Sequence, residues 1–213
     1  MSTTFDKVAD IIAETCDIQR DTIQTAKLVA SIDQVSGGRF LFGVGGGWNQ
    51  DEMEDHGTDF RTRFKKMREQ IEAMRAIWTE TKPEYRGELG NFPPMMTWPK
   101  PVQKPYPPVI VGGMFPHAAR RAIRYGNGWI PHSRRPHYED VTDYLPQFRQ
   151  MMAEAGRDPA EVPVTVWGVQ PDYERIRRYE EQGISRGVVQ LAPEPADKTL
   201  PILDRWAELI RKL

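Results

Sequence analysis

Apolar residues recur at steps of three and four along much of this chain, and short apolar runs that end in glycine lie between those stretches. Residues 5–16 carry Phe5, Val8, Ile11 and Ile12 at helical spacing. Residues 21–36 predict a second helix, with Ile23, Ala26, Val29, Ala30 and Val35 as a partial stripe and Gly37-Gly38 as its stop. Residues 40–44 predict a strand. The strongest helical pattern, 59–79, sets Phe60, Phe64, Met67, Ile71, Met74 and Trp78 on one face, and the Lys and Arg between them read as a solvated face. Residues 80–107 are punctuated by proline and predict a long surface excursion, with a short hairpin over 85–92. Tyr85, Phe92, Trp98 and Tyr106 favour an ordered one.

After that excursion strand and helix alternate. Strands are predicted at 109–111, 128–131, 162–167 and 188–191, and helices at 116–125, 137–155, 171–182 and around 202–210. Pro146 argues for a kink in the second of these helical stretches or for a later start. Strands separated by helices pair in parallel through right-handed crossovers, so the pattern is that of an α/β fold with about five parallel strands.

Composition narrows the partners. The chain has 213 residues, 39% of them hydrophobic, which is enough for one domain with a core. A net charge of −1 speaks against a nucleic-acid or polybasic membrane surface. No apolar run approaches the ~20 residues that span a bilayer, and residues 1–6 lack the order of a signal peptide. A single cysteine, Cys16, allows no intrachain disulfide and reads as a small helix-face residue in a reducing cytoplasm. His56, His117, His132 and His137 show no metal-ligand spacing, so no metal site is expected.

Two segments carry candidate chemistry. The strand at 40–44 runs into Gly45-Gly46-Gly47-Trp48, and the strand at 109–111 runs into Gly112-Gly113-Met114-Phe115-Pro116-His117 ahead of a helix. Glycine after a strand permits positive φ and close approach of a ligand to the backbone. Both exits therefore point to a ligand site at the carboxyl ends of the strands. At the second exit, free N–H groups at a helix N-terminus suit a phosphate; an ordinary tight turn is the plain alternative. At the first, the glycines admit a ring or its tail with Trp48 as a wall, against a flexible turn with Trp48 in the core. His132, with Ser133, follows a strand and is a weak candidate proton donor or substrate contact; a half-exposed structural histidine is the competing reading. Arg134 and Arg135 read as a solvated loop.

Residues 24–39, QTAKLVASIDQVSGGR, resemble the helix before strand four of the luciferase-like monooxygenase family, and Gly43-Val44-Gly45-Gly46-Gly47-Trp48 resembles the exit of that strand. Pro99-Lys100-Pro101-Val102-Gln103, Val111-Gly112-Gly113, Pro116-His117-Ala118-Ala119, Gly126-Asn127-Gly128-Trp129 and Gly156-Arg157-Asp158-Pro159 resemble later parts of it in the same order. The resemblance covers about residues 20–212. It implies a (β/α)8 TIM-type barrel, here partial, with the five strands in the places of strands four to eight. Residues 20–213 form one luciferase-like α/β domain with the 80–107 insertion, and residues 1–19 form a non-matching helical segment. A full barrel takes roughly 250 residues. The open remnant leaves sheet edges and an apolar inner face to be covered by residues 1–19 or by a second copy of the chain.

The pattern is most similar to the branch that uses coenzyme F420, a deazaflavin, with FMN as the alternative cofactor. The resemblance implies an oxidoreductase that transfers a hydride between deazaflavin and a small organic substrate. An FMN-dependent monooxygenase that activates oxygen is the second reading, and a non-catalytic fragment the third. It places the cofactor against Gly45, Gly46, Gly47, Trp48, Gly112, Gly113, Met114, Phe115 and His117, with the phosphate at the second exit. Members that dehydrogenate sugar phosphates carry a catalytic glutamate where this chain has Gly46; Glu52 and Glu54 read as surface residues.

Overall fold

The computed structural model describes residues 11–15, as backbone, together with 19–134 and 140–213. Cys16, Arg135 and His137, and the start of the expected 137–155 helix, lie outside the described residues. Two compact units divide at Gly112/Gly113.

The first unit runs β1 (Ile11–Thr15), α1 (Thr22–Ser36), β2 (Phe40–Val44), α2 (Gln50–Asp55), a 3-10 turn, α3 (Arg63–Thr79), the hairpin β3 (Tyr85–Arg86) and β4 (Asn91–Phe92), and β5 (Val109–Gly112). Strand β2 is buried along its whole length and lies between two parallel neighbours. Ile11 to Thr15 pair with Phe40 to Val44, and Phe42, Gly43 and Val44 pair with Val109, Ile110 and Val111. A strand at 11–15 corrects the helix predicted there. The helical spacing of Ile11 and Ile12 is real, but two adjacent β-branched residues suit a strand equally well, and the edge of β2 supplies the backbone partners that decide between them. A strand thus does precede α1 within the segment taken as non-matching.

Helix α1 begins at Asp21, whose carboxylate accepts the Gln24 N–H at 2.8 Å, and ends at Gly37 with a φ of +64°. It packs on α3, where Trp78 Nε1 donates to the Ala26 carbonyl at 2.9 Å. Met67, Ile71, Met74 and Trp78 are buried as their spacing predicts, whereas Val35 is 91% exposed and belongs to no stripe. The excursion is ordered. Asp33, wholly buried, accepts from the Gln103 N–H at 2.9 Å and from Gln103 Nε2 at 2.7 Å. Gln34 Nε2 donates to the Lys100 carbonyl at 2.7 Å, and Lys100 Nζ reaches the carbonyls of Ile77 and Glu80 at the end of α3.

The second unit runs α4 (His117–Tyr125), β6 (Gly128–Ile130), a 3-10 turn, α5 (Leu145–Glu154), β7 (Thr165–Trp167), α6 (Tyr173–Glu181), β8 (Arg186–Val188) and α7 (Ala196–Ile210). Strands β7 and β8 pair in parallel, and Trp129 and His132 form parallel bridges to Val164 and Trp167. Helix α5 takes the later start that Pro146 allows, with the proline in its first turn. Strand β8 lies at 186–188 rather than 188–191, because the Thr165–Arg186 register on β7 and the bond from Ser185 N–H to the Val164 carbonyl fix it earlier. Trp129 packs on Phe148, ring centroids 4.9 Å apart, and Met152 and the alanines of α4 are buried too. Arg157 closes the end of α4: its Nη1 donates to the carbonyls of Ile123 at 2.7 Å, Gly126 at 3.1 Å and Ala122 at 3.3 Å. That is the physical content of the Gly156–Pro159 motif.

Candidate functional site

Because Val44 and Val111 are register partners on parallel strands, Gly45 and Gly112 follow at the same, carboxyl, end of the sheet. The two glycine exits therefore begin side by side in the first unit. Gly47 has a φ of +66°, a left-handed turn that glycine alone makes freely. Gly46 serves a different purpose from the expected one. A Cβ on it would lie 2.7 Å from Cδ1 of Phe64, so the room its missing side chain leaves is filled by that ring and not by a ligand. Phe64 is backed by Arg63, whose guanidinium carbon sits 4.3 Å from its centroid and 3.7 Å from that of Phe60. Burial lowers the pKa of Arg63 below its ordinary value. Arg63 and half-buried Lys66, which donates to Thr58 Oγ1 at 2.6 Å, thus depart from the solvated face predicted for α3 cations.

Trp48 is 87% exposed, which overturns a place in the core: Gly47 turns the chain outward, and Asn49 at once caps α2 by accepting from Glu52 N–H. Glu52 and Glu54 are exposed on α2.

In the second unit Gly113 has a φ of +121°, and a Cβ there would lie 3.2 Å from Cβ of Ala118 and 3.7 Å from an Nη of Arg121. Its carbonyl accepts from Trp129 Nε1 at 3.0 Å, and its N–H donates to the Ile130 carbonyl at 3.3 Å. Helix α4 follows with Pro116 at its N-cap, no side-chain cap and no acidic residue in its first turn. The first turn of a helix has unsatisfied N–H groups and carries partial positive charge. In this turn the Ala118 N–H donates to the Met114 carbonyl at 2.9 Å and Ala118 and Ala119 are buried, while exposed His117 and the Arg121 guanidinium, close to Gly113, flank it. Met114 and Phe115 are half-buried and His117 is exposed. Phe115 stacks on Tyr144 at 4.8 Å and lies 6.2 Å from Trp129, which gives the corner an aromatic wall. The sequence pattern does not single out Arg121 or Tyr144. The only signal for Arg121 is its place one turn after His117 on the helix that the glycines introduce.

His132 is half-buried at the carboxyl end of β6, bridged to Trp167 at the end of β7. Ser133 is buried, and its hydroxyl donates to the Gly168 carbonyl at 2.7 Å, which accounts for it structurally. Exposed Arg134 lies close enough to Tyr179 to act on its ionisation. Burial first, then the Asp140 carboxylate, pushes the Tyr179 pKa up to about 12. Asp140 also pairs with Arg175 at 3.4 Å and accepts from Thr142. Among the described residues no cluster of His, Cys, Asp and Glu has the arrangement of a metal site, and no helix is long and apolar enough to cross a membrane.

Comparison with known proteins gives a consistent picture. The family model described as luciferase-like monooxygenase matches residues 15–171. An uncharacterized protein of Mycobacterium tuberculosis is 36% identical over 191 residues, 89% of this chain and 66% of its own length, so the chain spans just under two thirds of that relative. An F420-dependent hydroxymycolic acid dehydrogenase of the same organism is 30% identical over 68% of this chain and 40% of its own length. An FMNH2-dependent dimethylsulfone monooxygenase of Pseudomonas putida is 34% identical over 49% of this chain and 30% of its own. Among solved structures, a monooxygenase of Streptomyces bottropensis superposes with a TM-score of 0.75 at 19% identity, covering 94% of this chain and 77% of that one. An F420-dependent secondary alcohol dehydrogenase does so with 0.65, also at 19%, covering 82% and 71%.

Proposed function

The chain belongs to the luciferase-like monooxygenase family, and from that premise we propose that it is an oxidoreductase transferring a hydride between coenzyme F420 and a small organic substrate. The observation that carries the reading is the Gly113 corner. A glycine at a φ of +121° precedes a helix start that has no side-chain cap and no acidic residue, with an arginine beside it. Those features fit the phosphate of F420 or FMN. The match to the F420-dependent dehydrogenase covers more of this chain, 68% against 49%, though at lower identity than that to the FMNH2-dependent enzyme, and this coverage is what supports the deazaflavin.

In this reading the fold is part of a (β/α)8 barrel. Strands β2, β5, β6, β7 and β8 take the places of strands four to eight, and β1 takes that of strand three. The first turn of α4 and Arg121 hold the phosphate, and Phe115 and Tyr144 keep water from its flank. In the first unit Gly45, Gly47 and Trp48 stand at the carboxyl end of β2; in the second, His132 stands at the end of β6 as the group able to hold a proton. When bound, the deazaflavin supplies the hydride-carrying carbon; the chain supplies orientation and charge.

Titration with F420 and with FMN, followed by absorbance and fluorescence, tests this. A saturable change with F420 is the expected result. A change with FMN alone moves the chain to the oxygen-activating reading, and no change with either supports a non-catalytic one.

A further inference from the structure

Away from the glycine exits, the first unit contains a cleft of about 220 Å³ between the start of α1, the first half of α3 and the β3–β4 hairpin. It shares no lining residue with 45–48 or Gly112. Arg20, Lys66, Glu69, Tyr85, Leu89 and Phe92 are the lining residues that matter.

Glu69 is the unusual one. It is 5% exposed, yet its carboxylate has a single hydrogen-bond partner, the Leu89 N–H at 2.7 Å to Oε2. The neighbouring cations are engaged elsewhere: Lys65 with Glu88, Arg68 with Glu72 at 3.5 Å, and Lys66 with Thr58 Oγ1. Among the described residues Glu69 has no ion pair. Its second oxygen has no protein partner among the described residues where Glu69 lines the cleft, and a cation reaching it there would add a charge-assisted bond. Pinning the hairpin, where Gly87 leaves room for the carboxylate, uses one oxygen and leaves the other for the cleft.

We propose that this cleft is a second binding site, for a small zwitterion whose primary ammonium rests on Glu69 and whose anionic end faces Arg20 and Lys66. One remaining carboxylate oxygen suits the point charge of an ammonium better than the paired donors of a guanidinium. The rings of Tyr85 and Phe92, 6.3 Å apart, and Leu89 offer an apolar wall for the body of the molecule. The cleft is smaller than the roughly 300–1,000 Å³ of pockets for drug-sized ligands, which limits the occupant to the size of an amino acid.

The test is a titration of the chain with L-leucine, isoamylamine and isovalerate, read by calorimetry and by amide chemical shifts. Leucine is expected to bind saturably with shifts in the hairpin and α3, isoamylamine more weakly, and isovalerate not at all. Glu69→Gln keeps an acceptor for the Leu89 N–H and is expected to weaken leucine by about tenfold or more. Arg20→Gln changes an exposed side chain, which keeps the test valid should Glu69→Gln not fold. It is expected to weaken leucine by a similar factor and leave isoamylamine unchanged. The proposal is overturned by an absence of saturable leucine binding, by leucine binding that either variant leaves at its original strength, or by isovalerate binding as tightly as leucine.

Discussion

Phe64 occupies the space that any side chain on residue 46 would need. The glycine and the ring form a complementary pair at the carboxyl end of β2, and the pair is coupled. Gly46→Ala is expected to destabilise the chain by about 1–3 kcal/mol through overpacking. In a Phe64→Ala background the same change is expected to cost little. Urea denaturation of the double-mutant cycle measures this, and additive effects would contradict it. An acid introduced at position 46 meets the same obstruction.

Arg121 is placed to contribute to anion binding at the Gly113 corner. Arg121→Gln is expected to weaken whichever phosphorylated cofactor binds by about tenfold, and to reduce the salt dependence of that binding. Equal affinity for both proteins across a salt series would remove Arg121 from the site.

The Asp33–Gln103 contact joins α1 to the excursion. Asp33→Ala removes the acceptor of two part-buried bonds from Gln103, whose Nε2 keeps the Phe40 carbonyl at 2.7 Å, and is expected to cost roughly 1–3 kcal/mol. Asp33→Asn keeps one acceptor oxygen and is expected to cost less. Proteolysis across 80–107 should accelerate in the alanine variant, and unchanged cleavage would show that the contact does not hold the segment.

Arg157 gathers three carbonyls at the end of α4, where a cation also meets the negative end of the helix. Arg157→Ala is expected to cost about 1.5–3 kcal/mol. Arg157→Lys should recover only part of that, because a lysine lacks the planar fork. Thermal melts of the three proteins decide the order.

Tyr179 links stability to alkaline pH. Its pKa is raised from 10.0 to about 12 in the folded chain, so between those values the folded state keeps a proton that the unfolded state has lost. Stability from this group is complete below pH 10 and falls as pH rises toward 12. Tyr179→Phe should remove that contribution, so the stability difference between the two proteins shrinks across the window. A difference that stays constant would show that the hydroxyl does not titrate as described.

Patterns that repeat within one element were legible in the sequence. The buried face of α3, the Gly37-Gly38 stop, the hairpin at 85–92 and the parallel pairing of β-strands follow from spacing and turn chemistry alone. Partners distant in sequence decided what was not legible. Strand β1 depends on the edge of β2 across more than twenty residues, and β8 takes its register from β7. Phe64 carries the spacing of a core residue, yet it serves the loop at Gly46. Glu69 and Arg121 look like ordinary helix-surface charges until the hairpin and the Gly113 turn are set against them. At the candidate site, local glycine chemistry marked both exits, but the arginine and the aromatic wall came only with the fold.

The fastening of the excursion bears on any attempt to exchange it between relatives. Lys100, Val102 and Gln103 are seated on α1 and on the end of α3, so a graft taken from 80 to 107 alone would arrive without its sockets. A chimaera that respects the molecule would transplant Asp33, Gln34, Gly38 and the tail of α3 together with the loop.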